Sequence, residues 1–126
     1  MERKKAITLL IEELSEFADE IDVSDPEWTQ ILLNQRISSL IKKGVVESTS
    51  LPRKLRLADI LGMLDFEIPD GEIWDDAERF DDVIRSYGEE PDRESMEEAR
   101  DSLAKIIESL RNAANDEHQP DAHPEA

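Results

Sequence analysis

Residues 24–46 spell a helix with both of its ends written into the sequence, and that stretch points the whole chain toward a helical architecture. Ser24 suits the N-cap, where its hydroxyl can accept an orphan backbone N–H, and Glu27 can reach back to close a capping box. Pro26 falls in the first turn, where a missing N–H is harmless. Val23 and Trp28 hold the two positions of a hydrophobic staple. Trp28, Ile31, Leu32, Leu33, Ile37, Leu40 and Ile41 predict a broad apolar face at helical spacing. Lys42 and Lys43 suit the negative end of the helix dipole. Gly44 suits the left-handed position just past the end, with Val45 folding back on Leu40 as in a Schellman motif.

The same periodicity recurs along the chain. Ile7, Leu10, Leu14, Phe17 and Ile21 step by 3 and 4 and predict a helix over 3–22. The short link to the next helix favours antiparallel neighbours. Ser50 and Pro52 can open a third helix whose apolar face would hold Leu51, Leu55, Leu57, Ile60, Leu61 and Leu64. The alternation of Lys54, Leu55, Arg56 and Leu57 leaves a strand open there. Pro69, Asp70 and Gly71 predict a turn. Ile73, Ala77, Phe80, Ile84 and Tyr87 predict a fourth helix over 72–87, with Gly88 past its end.

A fifth helix opens near Pro91 and Asp92, or at Ser95 and Glu98, and runs to 114. Its seam of Met96, Ala99, Leu103, Ile106, Leu110 and Ala113 suits bundle packing or a short coiled coil, and so admits a homodimer through 96–113. The expected architecture is all-α: a four- to five-helix bundle over 1–114 in a single domain, with helix 3 as cap or crossover. A disordered acidic tail is expected over 115–126, which has two prolines and no large apolar group.

Charge is the other distinctive property. The net charge is −17, from 15 basic and 32 acidic residues. Residues 1–64 hold 9 bases and 11 acids; residues 65–126 hold 6 and 21, a net of −15. Such a second half repels nucleic acid and anionic membrane and attracts a basic partner. Its candidate contact charges are Asp75, Asp76, Asp81, Asp82, Glu89, Glu90 and Asp92. There is no cysteine, which removes disulfides and thiolate metal sites and fits a reducing compartment. No stretch reads as a signal peptide or membrane span, so a soluble cytoplasmic protein is expected.

Catalytic machinery is poorly supplied. The only histidines, His118 and His123, fall in the expected tail, and the four glycines are isolated, with no phosphate-cradling loop. Two constellations stand out. Glu12, Glu13 and Glu16 on helix 1 and Glu98 and Asp101 on helix 5 place carboxylates at i and i+3, which on facing helices can hold Mg²⁺. This is similar to the E-E-x-x-E and E-x-x-D motifs of the all-α, MazG-like nucleotide pyrophosphohydrolases. That resemblance would assign Glu13, Glu16, Glu98 and Asp101 to metal. Solvated helix faces give the same pattern. Arg36, Lys42, Lys43, Arg53, Lys54 and Arg56 form a basic strip over 36–56 interrupted only by Glu47. From Gln35 to Glu47 it resembles the end of a winged-helix recognition helix entering its wing, which implies DNA binding. The same cations can instead neutralise acids on helices 4 and 5. The favoured expectation is a non-catalytic acidic protein without cofactor: an adaptor, or an antitoxin- or immunity-type inhibitor of a basic partner.

Overall fold

The computed structural model describes residues 3–46, 55–63, 72–85 and 91–118. They form five helices: α1 (Arg3–Glu20), α2 (Pro26–Lys42), α3 (Leu57–Met63), α4 (Glu72–Ile84) and α5 (Arg93–His118). No strand occurs among the described residues. α1 packs on α2 and on α5, α5 on α4, and α4 closes the ring on α2, while α3 lies against α4. The four long helices thus enclose one core, as the apolar stripes require.

The core collects the predicted stripes. Ile7, Leu10, Leu14 and Phe17 of α1 are buried, as are Ile73, Ala77, Phe80 and Ile84 of α4. Phe17 and Phe80 meet edge to face, with ring centroids 6.1 Å apart and planes at 84°. Met96, Ala99, Leu103, Ile106, Leu110 and Ala113 are likewise buried. The 96–113 seam is therefore consumed inside the molecule by α4 and α1, which removes it as a dimer surface. The intramolecular neighbours are always present, so they take the seam first.

Four local expectations need correction. Ser24 does not cap α2; its N–H and hydroxyl both donate to Asp22 Oδ1, at 2.9 and 2.6 Å. The cap is Asp25, whose carboxylate accepts the Trp28 N–H at 3.0 Å, because Pro26 occupies the first helical position itself. Thr29, fully buried, exchanges hydrogen bonds with the Asp22 backbone and ties the α1–α2 turn together. Trp28 and Ile31 face water, at 47% and 42% exposure, because the buried face of α2 is set by Thr29, Leu32, Leu33, Ile37 and Leu40. α3 begins at Leu57, and Leu55 and Arg56 are neither helix nor strand. α5 runs to His118, past the expected tail boundary at 115. The proposed Ser50 cap, the 69–71 turn, Tyr87, Gly88 and the rest of the tail lie outside the described residues.

The end of α2 follows the sequence closely. The Val45 N–H donates to the Leu40 carbonyl at 3.0 Å and the Gly44 N–H to that of Ile41 at 3.1 Å, the pair of bonds that defines a Schellman motif. Gly44 has φ 80°, where a Cβ would meet the carbonyl oxygen. Gly44→Ala should destabilise the fold by about 1 kcal/mol. The check is a lower urea midpoint with an unchanged m-value.

Candidate functional site

Three carboxylates are buried among the described residues, Glu13, Asp76 and Asp81, and two of them organise contacts between helices. The first carboxylate is Glu13, only 2% exposed on the apolar stripe of α1. α2 runs antiparallel beside it and brings three donors. Arg36 Nη1 donates to Glu13 Oε1 at 3.1 Å, Lys43 Nζ to Oε2 at 2.9 Å, and the Ser39 hydroxyl donates to Oε2 as well. Arg36 also binds Glu16, at 2.6 Å, and Glu20. Burial pushes the Glu13 carboxyl up, but the bonds from Ser39, Lys43 and Arg36 outweigh it and hold the group below the usual range. Lys43 is raised in turn, chiefly by its bond to Glu13.

The second carboxylate is Asp81 on α4, 1% exposed. Its two oxygens accept the Leu57 and Ala58 N–H groups at 2.8 and 3.1 Å, which caps α3 from another helix. Asp59 completes the cap by accepting the Arg56 N–H at 3.0 Å. Burial raises the Asp81 carboxyl, and the two N–H donors with Arg56 and Arg85 only partly offset it. Arg85, also buried, donates from Nη1 to Asn34 Oδ1 at 2.6 Å and so joins α4 to α2.

These contacts sort the sequence candidates. Asp76 and Asp81 are buried, and Asp76 pairs with Arg79 at 3.0 Å, so neither is a surface contact charge. Asp92 caps α5 by accepting the Ser95 N–H at 2.8 Å, and that bond depresses its carboxyl. Asp75 and Asp82 are exposed; Glu89 and Glu90 lie outside the described residues. On the basic strip, Arg36 and Lys43 are tied to α1 rather than to helices 4 and 5. Arg56 pairs with Asp81 and Asp82 at 3.7 and 3.3 Å, Lys42 is exposed, and Arg53 and Lys54 lie outside the described residues. Pairing of three of the four described cations leaves no bare basic face among them. Of the MazG-like set, Glu13 already has both oxygens engaged. No three acids or histidines gather to hold a metal among the described residues, so Glu13, Glu16, Glu98 and Asp101 do not come together.

One exposed face is aromatic and acidic. On α4, Trp74 is 41% exposed and stands four residues from exposed Glu78. Exposed Asp75 and Asp82 line the same outward side at i, i+3 and i+7 with Glu78. In the sequence Trp74 borders the apolar stripe of Ile73, Ala77 and Phe80, and Glu78 is not among the candidate contact charges. The exposure of Trp74 and Glu78 follows from where α2, α3 and α5 sit, on the other sides of α4.

Comparison with protein-family models, with curated proteins and with solved structures returns no match. No described helix is long and apolar enough to cross a membrane.

Proposed function

We propose that this is a small non-catalytic interaction protein, an adaptor or an antitoxin- or immunity-type inhibitor, which binds a basic surface of another protein through the outer face of α4. The observation that carries this reading is Trp74, exposed to 41%, beside the exposed carboxylates of Asp75, Glu78 and Asp82. An indole face attracts Arg and Lys, the more so once water is excluded. The few residues that carry most of an interface's binding energy are enriched in tryptophan, tyrosine and arginine. The carboxylates, with a net charge of −15 over residues 65–126, would speed encounter and reject acidic competitors more than add affinity. The partner class is then a protein with an arginine- or lysine-rich groove, such as a nuclease or another nucleic-acid-binding protein. A cytoplasmic setting belongs to the same proposal and rests on the lack of cysteine.

The test uses Trp28→Phe, which leaves Trp74 as the single tryptophan. Titration with an arginine-rich peptide should change its fluorescence in a saturable way. Trp74→Ala, read by calorimetry, should weaken binding about tenfold, in line with the loss of one aromatic anchor. Joint substitution Asp75→Asn, Glu78→Gln and Asp82→Asn should weaken it at least as much. The same neutralisation on α5, at exposed Glu94, Glu98 and Asp101, should leave it nearly unchanged. Equal loss from both faces would mean that bulk charge alone drives binding, and the proposal would be withdrawn.

A further inference from the structure

The outer face of α2 is a second surface, distinct from α4, with a different composition. Glu27, Ile31, Gln35 and Lys42 are exposed along it, and Asn34 and Ser38 are half-buried between them. A shallow groove of about 490 Å³ runs beside this stripe and is lined among the described residues by Ile31, Asn34, Gln35, Ser38, Ser39 and Lys42. Exposed Trp28 flanks its N-terminal end.

Two properties of the face indicate what covers it. The first is charge. α2 carries one acid, Glu27, against two bases, Arg36 and Lys42. Every other described helix has more acids than bases: five to three in α1, one to none in α3, six to one in α4 and seven to four in α5. On a molecule of net charge −17, α2 is the described helix along which two copies can approach with the least like-charge repulsion. The second is symmetry. The stripe positions 27, 31, 34, 35, 38 and 42 are arranged evenly about the midpoint between Asn34 and Gln35. A two-fold interface requires a patch complementary to itself. An antiparallel copy would place Glu27 opposite Lys42, Gln35 opposite Asn34, whose Oδ1 is held by Arg85 and whose NH2 alone is left to donate, and Ile31 opposite the small side chains of Ser38 and Ser39.

We infer that α2 is a self-association surface, and that two copies of this chain pair antiparallel along it with Ile31 of each seated in the groove of the other. The stripe spans about 22 Å, at about 1.5 Å per residue. A single helix pair of that length lies at the small end of specific interfaces, so the dimer is a micromolar one in exchange with monomer. The opposed Glu27 and Lys42 set orientation and discriminate against a parallel pair. Dimerisation by this face leaves the acidic face of α4 uncovered, so it stands or falls separately from the α4 proposal.

Sedimentation velocity of the full chain, over a hundredfold concentration range ending near ~0.5 mM, tests it. The weight-average mass should rise toward that of a dimer. Ile31→Lys should hold the chain monomeric throughout. Lys42→Glu should weaken association about tenfold, and the double reversal Glu27→Lys with Lys42→Glu should restore it. All these positions are exposed, and circular dichroism should report the same helix content for each variant. A mass that stays monomeric at every concentration would overturn the inference. So would a dimer that survives Ile31→Lys, or a double reversal no stronger than Lys42→Glu alone.

Discussion

Phe17→Ala should destabilise the protein by about 4 kcal/mol, the largest loss expected of any single change. Phe17 is fully buried at the crossing of α1 with the rest of the core and meets Phe80 of α4 edge to face. Its removal forfeits the transfer free energy of a whole aromatic ring and leaves a void. The surrounding core side chains can only partly collapse into such a space, since interiors are close-packed. A domain of this size is typically stable by about 5–15 kcal/mol, so the variant should unfold at a much lower urea concentration. A double-mutant cycle with Phe80→Leu separates burial from ring geometry. A coupling of about 1 kcal/mol is expected from the edge-to-face pair, and additivity within error would mean that area alone matters.

Glu13→Gln should cost about 2 kcal/mol at neutral pH, and the loss should fade as the solution is acidified. Gln keeps the volume and can still accept the Ser39 hydroxyl, but it surrenders the charge that holds Arg36 and Lys43. Those two cations are 25% and 43% exposed, so water screens part of the interaction and stays available to them, which keeps the figure below that of a fully buried pair. The pH dependence has a definite sign. The folded-state value of Glu13 lies below its ordinary one. Its stabilisation is therefore complete above the ordinary carboxylate value and is lost as pH falls through the lower folded value. Asp81 works the other way, since burial raises it, and the folded state binds its proton more tightly than the unfolded chain does. A stability profile of the parent alone mixes the two. The difference between parent and Glu13→Gln, from urea midpoints at each pH, isolates Glu13. A difference that stayed constant down to pH 2, well below the ordinary glutamate range, would show that the carboxylate's charge is not what α2 recognises.

The sequence by itself determined the helices, because apolar spacing of 3 and 4 is a local property that any helical backbone converts into one oily side. It also determined the stop of α2, since a glycine in the left-handed position after two lysines needs no distant partner. It also marks the two buried carboxylates that join helices. Glu13 shares a helical stripe with Leu10 and Phe17, and Asp81 follows Phe80 and stands four residues from Ala77. A carboxylate on an apolar stripe must find donors or remain neutral. What those donors were could not be read from the chain, because Arg36 and Glu13 are 23 residues apart and Asp81 and Leu57 are 24 apart. Only the antiparallel docking of α2 on α1, and of α3 on α4, brought them together. Tertiary packing likewise chose which apolar residues stayed in water. The stripe on α2 is wider than the groove that receives it, so Trp28 and Ile31 were left outside. The fold class was thus a matter of periodicity, and the surfaces open to a partner were a matter of which face each helix turned to its neighbours.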